Sequence, residues 1–326
     1  MEKYLIKNLL EKDKIEMLPT RDGYGKGLLQ AGEKDNRVVV LCADLSESTR
    51  SHWFAEKFPN RFIQIGVAEQ NMATVAAGMA NYGKIPFISS YATFSPGRNN
   101  EQIRTTISIN NVPVKIAGAH AGVSVGPDGA THQALEDIAL MRVQPNMVVI
   151  YPCDAIEAQK ATFASAFNGS PTYIRLAREK TPVFTTKETP FKIGKAEVVH
   201  KGKDATIIAC GPLLYEAIVA AEKLKKEGIS VEVINNHTIK PMDAKTILTS
   251  VKKTKAVVTV EEHQIMGGMG SAVAEVLGQN FPAPVEMIGV HDRFGESGNP
   301  EELLNHFQLT HPFIIKAVKK VIKRKK

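Results

Sequence analysis

Short runs of β-branched and other apolar residues alternate with helix-length amphipathic stretches from about Val38 onward. The runs at 38–41, 62–65, 86–89, 113–117, 147–150 and 172–175 read as strands, and the stretches at 22–31, 70–82, 98–110, 134–142 and 155–167 read as helices. Strands separated by helices pair in parallel, because parallel pairing needs a crossover connection, and the helices then cover the sheet. The expectation is an α/β fold with a doubly wound, mostly parallel sheet. Polar residues mixed with Pro and Thr at 179–190 look like a linker, after which the pattern restarts. Strands at 206–210, 230–234 and 256–260, with a helix after the first and another from Asp243, predict a smaller α/β C-terminal domain. The expected domains span 1–185 and 191–326.

Composition narrows the class. At 326 residues the chain is long enough for two domains with cores of their own. No apolar run approaches the roughly 18 to 20 residues that cross a bilayer. The first residues carry acids and no long apolar region, so no secretory leader is expected. Cys42, Cys153 and Cys210 lie far apart in apolar contexts, without paired spacing. They read as small buried hydrophobes in a reducing compartment, which predicts a cytoplasmic location. The formal charge is +7, and much of it sits at 316–326. There Ala317, Val318, Val321 and Ile322 keep helical spacing, so the tail reads as a terminal helix with a solvated basic face. Without aromatic interleaving or a nucleic-acid motif, no nucleic-acid partner is expected. A positive field still helps to gather anionic small molecules.

Candidate chemistry concentrates where strands end. Glu69 follows the apolar run at 62–65 and opens an Ala- and Met-rich helix, where a carboxylate also suits the helix dipole. His120, Asp128 and His132 share one loop after the strand ending near Ala119, the ligand-facing edge of an open α/β sheet. Gly122, Gly126 and Gly129 permit tight turns in that loop. The His-Asp-His spacing matches no standard metal motif. Arg21 and Arg178 carry forks suited to phosphate, and Ser48 adds a hydroxyl donor. Ser48 and Thr49 equally fit a helix cap, and Arg178 equally fits a pair with Glu179. Phe94 alone reads as a core phenylalanine. The glycines at 267, 268 and 270 read as tight strand-to-helix packing more than as an anion cradle, and His263 and His291 have no evident partners.

Together the segment Gly66-Val67-Ala68-Glu69-Gln70-Asn71-Met72 and the polar loop from His120 to Gln133 resemble the pyrimidine-binding half of thiamine-diphosphate enzymes, specifically transketolase. Arg21, Asp44 to Ser48 and Arg178 fall where that family places substrate-phosphate contacts, and Tyr91 to Phe94 resembles its pyrimidine-stacking segment. The resemblance implies a transferase that moves a two-carbon ketol unit from a ketose phosphate to an aldose phosphate through the ylide of thiamine diphosphate. By it, Glu69 bonds the aminopyrimidine and drives it to the imino form. Phe94 stacks on that ring, Val67 lines the pocket and Asp44 lies near the thiazolium. The aromatics that often follow Phe94 within the next turn in the family are absent here, so a second ring comes from elsewhere or Arg98 stacks instead. His120 bonds donor hydroxyls, Asp128 the acceptor hydroxyl beside the carbonyl, and His132 the reacting oxygens; Arg21, Ser48 and Arg178 hold phosphate.

No Gly-Asp-Gly segment is followed by an asparagine at the usual diphosphate-motif distance. The resemblance therefore implies the C-terminal subunit of a split enzyme. Mg2+ or another divalent ion, and the diphosphate, would sit on a separate N-terminal subunit in an α2β2 assembly. Three other readings share parts of the pattern: half of a 1-deoxyxylulose-5-phosphate synthase, the β subunit of a 2-oxo acid dehydrogenase first component, and a subunit that only assembles.

Overall fold

A computed structural model describes residues 4–325; the leader reading at residues 1–3 and the last basic residue, 326, fall outside the described residues. A seven-stranded sheet runs in the order Thr238–Lys240, Val148–Ile150, Thr172–Arg175, Lys115–Ala119, Ile85–Tyr91, Val38–Cys42 and Phe62–Gln64. Every neighbouring pair is parallel except the first. Val38–Cys42 is buried at all five positions, which explains its unbroken apolar run. Its alternate residues feed opposite cores: Val38 and Val40 join one, Val39 and Leu41 the other. That is the signature of a doubly wound sheet.

Small residues set how closely the helices approach. Helix Thr20–Lys34 packs on Ala155–Ala166, and a Cβ at Gly23 or Gly27 would strike Ala158 or Thr162. Helix Glu69–Asn81 buries Met72, Ala73, Ala76, Ala77 and Ala80, a stripe at helical spacing. The second, five-stranded sheet runs Val285–Val290, Val257–Gln264, Ala205–Ala209, Val231–Asn235 and Glu197–His200, antiparallel only at the last pair. Helix His311–Ile322 closes its core with Ala317, Val318 and Val321.

The structure departs from the local pattern in four places. The polar stretch at 179–190 is fixed: Thr181–Pro182 pairs with Met17–Leu18. Just beyond it, buried Asp154 accepts from the amides of Phe184 and Thr185 at 3.0 and 2.7 Å. Strand Thr238–Lys240 leaves the second half of the chain to complete the first sheet, and Leu5 and Ile15 pack into the second core. The stretch expected to be helical at 98–110 is helical from Asn100 to Ser108, but its α-helical turn, Asn100–Gln102, continues as a π-helix, Ile103–Ser108. Thr105 and Thr106 there bond back to the carbonyls of Glu101 and Gln102, competition that disfavours a regular α-ladder.

Two buried polar features brace the sheet ends. Arg175 and Asp137, both essentially inaccessible, pair at 2.7 Å, with Tyr173 donating to the same carboxylate at 2.6 Å. Burial pushes the Asp137 carboxyl up, but Arg175, His263 and the Tyr173 hydroxyl together outweigh it and hold it below the usual range. The Glu261 carboxylate accepts from the amides of Met269 and Gly270, at 2.6 and 2.8 Å, at the start of helix Met269–Asn280. The anion position of that glycine turn is thus filled by the chain itself. His263 is buried and bridges the two halves, its Nε2 accepting from the Ala139 amide at 3.4 Å while Nδ1 donates to the Gln264 carbonyl at 2.7 Å. His291 is exposed. All three cysteines are buried and free. Among the described residues, no helix is long and apolar enough to cross a membrane.

Candidate active site

Gly66, at φ +81°, turns the chain between strand Phe62–Gln64 and helix Glu69–Asn81, and Glu69 is the first residue of that helix. Its side chain is 1% exposed. Arg98 Nη1 donates to one carboxylate oxygen at 2.7 Å, and Ser90 Oγ donates to the other at 3.3 Å. Asn99 Nδ2 holds the Glu69 carbonyl at 3.0 Å. The Arg98 guanidinium also lies 4.7 Å from the centre of the Phe94 ring, a cation–π contact. Sequence reasoning gave Arg98 a stacking role; here it joins Phe94 to Glu69.

From Phe94 a line of rings leads to the histidine loop. Phe94 lies edge-on to His132 at 5.4 Å, and Tyr91 packs on His120 with centroids 4.0 Å apart. Tyr91 is the residue that sequence reasoning left without a role. Its signal was its place as the last residue of strand Ile85–Tyr91, at the ligand-facing edge.

His120 is 2% exposed and adopts a left-handed backbone, φ 55°. Its Nε2 lies 3.4 Å from Arg21 Nη1. A guanidinium only donates, so Nε2 accepts and the ring proton sits on Nδ1. That Nδ1 is a buried donor with no partner among the described residues. Burial first, then the positive charges of Arg21 and Arg178, push the imidazole down to about 2. The ring is thus held in its neutral form here, with Nδ1–H left free to donate.

Arg21 also donates to the Ser48 carbonyl at 2.8 Å, tying clamp to histidine. Arg178 donates to the Val125 carbonyl of the loop at 2.8 Å and pairs with Glu179 at 2.9 Å. A third arginine, Arg50, which sequence reasoning passed over, pairs with Asp22 at 2.7 Å. Arg21, Arg50, Arg178 and Lys180 line a cleft of about 610 Å3 together with Asp22, Glu179, Glu301 and Asn299. Burial and the neighbouring Arg50 and Arg178 lower the Arg21 guanidinium, partly opposed by Asp22.

The remaining candidates stand at the open edge. Val67 is 72% exposed. Asp44 is exposed in a left-handed conformation, its amide donating to Gln64 Oε1 at 2.8 Å. Asp128 is exposed at the end of the turn Val123–Asp128, and His132 Nδ1 lies 2.9 Å from Thr131 Oγ1. Among the described residues no group of three or more His, Cys, Asp or Glu is arranged to hold a metal ion.

The pyrimidine-binding domain of transketolase matches residues 16–183, and the transketolase C-terminal domain matches residues 194–314. The chain belongs to the transketolase family. A Methanocaldococcus jannaschii protein, provisionally named a transketolase C-terminal section, is 45% identical over 93% of this chain and 96% of its own length. A 6-deoxy-6-sulfo-D-fructose transketolase subunit of a Clostridium species is 40% identical over 96% of this chain and 97% of its own. A solved structure described as a split gene transketolase, an inactive β4 tetramer, superposes with a TM-score of 0.89 at 45% identity, covering 95% of this chain and 100% of its own.

Membership implies dependence on thiamine diphosphate. The residues fit the pyrimidine end of that transketolase cofactor: a carboxylate buried at a helix start, with the Phe94 ring reached through Arg98.

Proposed function

We propose that this chain is the C-terminal subunit of a split transketolase, supplying the pyrimidine side of a site whose diphosphate and divalent-metal side lies on a separate N-terminal subunit. The observation that supports this most is buried Glu69 at the end of a continuous line of contacts through Arg98, Phe94, His132 and Tyr91 to His120 and Arg21. Thiamine diphosphate, with Mg2+ or another divalent ion, supplies the electron sink for cleaving the carbon bond beside the ketose carbonyl. The protein's own groups bind and orient around it. Glu69 would hold the aminopyrimidine nitrogen and Phe94 would stack on the ring, with Arg98 beside both. Val67 and Asp44 are exposed, free to meet a second subunit as half of a shared site requires. His120 offers its free Nδ1–H to a donor hydroxyl, His132 faces the reacting oxygens, and Asp128 takes the acceptor hydroxyl. Arg21, Ser48 and Arg178 hold the anionic end of the sugar.

Domains at 1–185 and 191–326, an α2β2 assembly and a cytoplasmic location accompany this reading. The β4 relative is described as inactive, which accords with C-terminal subunits that lack a partner. Assayed with its N-terminal partner, thiamine diphosphate and Mg2+, the chain should transfer a ketol unit from xylulose 5-phosphate to ribose 5-phosphate and leave pyruvate untouched. Decarboxylation of pyruvate without ketol transfer would overturn the reading in favour of a dehydrogenase β subunit.

Arg178→Ala should raise the Michaelis constant for phosphorylated sugars roughly ten- to hundredfold, since hydrogen bonds to charged groups contribute about 1.5–3 kcal/mol. Its kcat should change little. An equal effect on unphosphorylated sugars would remove Arg178 from the clamp.

A further inference from the structure

The loop that carries His120 and His132 is held by the second half of the chain. Glu262, on strand Val257–Gln264, is 2% exposed and reaches across to the loop, where its Oε1 accepts from the Ser124 amide at 2.6 Å. Gly122, at φ +94°, leaves the space that the carboxylate enters; a Cβ there would collide with it. No ion pair to Glu262 is present among the described residues. A buried carboxylate is costly unless hydrogen-bonded, and the nearby charge of Arg175 offsets only part of that cost, so its placement against a loop amide is specific. Burial also pushes its carboxyl up from the ordinary range.

The loop is gripped on its other side too. Gln133 Nε2 donates to the carbonyls of Val123 and Gly126 at 3.0 and 3.2 Å, and to the Glu296 carbonyl of the second half at 2.9 Å. Gly295 makes room for that Gln133 side chain, and Gly126 and Gly129 lie against Pro300 and Ser297. Every one of these contacts precedes substrate. The loop is therefore set in advance, which lowers the ordering cost that binding a sugar would otherwise incur.

We infer that Glu262 is a positioning residue for the sugar site: its hydrogen bond to Ser124 fixes the loop that presents His120 and His132. The role in sugar binding rests on the transketolase reading above; the fixing of the loop does not. Glu262→Ala removes the acceptor, whereas Glu262→Gln keeps the shape and a carbonyl acceptor.

Two measurements test it. In the chain alone, hydrogen exchange at the Ser124 amide should rise at least tenfold in Glu262→Ala and stay near wild type in Glu262→Gln. Amides of Ile116 and Ile174 in the first sheet and of Ile207 in the second should not change. In the assembled enzyme, Glu262→Ala should raise the sugar-phosphate Michaelis constants about tenfold and leave thiamine diphosphate affinity unaltered, with Glu262→Gln restoring most of the loss. Unchanged Ser124 exchange would overturn the proposal. So would exchange that rises equally across the second sheet, or unchanged Michaelis constants in an active enzyme. A wild-type pair that transfers no ketol unit would sink the functional reading instead, and the exchange result would still decide whether the brace exists.

Discussion

Glu69→Ala should abolish ketol transfer, with kcat falling by at least about a thousandfold, while the protein still folds and assembles. A positioned group that moves protons contributes typically 10²–10⁴ in rate. Glu69 is a carboxylate that the helix start, Ser90 and Asn99 together aim at one place. The Ala variant also strips Arg98 Nη1 of its acceptor, but Arg98 is half exposed and water can replace it. Packing is therefore not the cause of the loss. Glu69→Gln separates the two effects directly, since it keeps size and hydrogen bonding but cannot exchange a proton with a ring nitrogen. It should be as inactive as the Ala variant. Near-normal turnover in either, measured with the partner present and assembly checked by size-exclusion chromatography, would rule out the assigned role.

The second large effect concerns stability. Arg175→Met should cost about 3–5 kcal/mol, the usual consequence of leaving a buried charge without its partner. Asp137 would keep only the Tyr173 hydroxyl, in a site where neither member of the pair is accessible. The damage should extend to the loop, because Arg175 Nη2 also donates to the Ala134 carbonyl at 3.0 Å. Urea unfolding reads the loss as a lower midpoint at unchanged slope. Replacing both partners, Asp137→Leu with Arg175→Met, should recover most of it, because well-packed apolar substitutes for a buried pair are often neutral or better. A loss below about 1 kcal/mol for the single variant would mean that water reaches the pair.

How much of this was legible beforehand depends on the range of each interaction. Strand Val38–Cys42 appears where expected because all five positions are buried, so its apolar run is a direct imprint of two-sided packing. The junction at Glu69 was equally visible, since a strand, a turn and a helix start follow one another within a few residues. Contacts between distant segments left no such trace. Nothing near Glu262 in sequence announces Ser124, 138 residues away, and nothing near 238–240 says that this segment joins the first sheet. The stretch at 179–190 looks like a linker, and what holds it in place left no trace beside it for the same reason. Its polar composition is that of a loop, but Met17–Leu18 and buried Asp154 supply partners from elsewhere in the chain.

Within the site, residue types were readable and their pairings were not. Arg98 stood out as a cation beside a phenylalanine, yet its bond to Glu69 depends on how the segment Thr93–Arg98 folds back on the helix start. His120 was readable as a hydroxyl-binding residue, but not its burial among arginines or the free Nδ1 donor that this leaves. Tyr91 was seen only as part of a motif, because ring stacking on His120 is a matter of geometry at the sheet edge.

The central claim is that this chain holds one side of a shared site. The most direct test is ketol transfer from xylulose 5-phosphate to ribose 5-phosphate, measured for this chain alone, for a candidate N-terminal subunit alone, and for the mixture. Thiamine diphosphate and Mg2+ are present throughout. Transfer in the mixture only is the result the account predicts; transfer by this chain alone would contradict it.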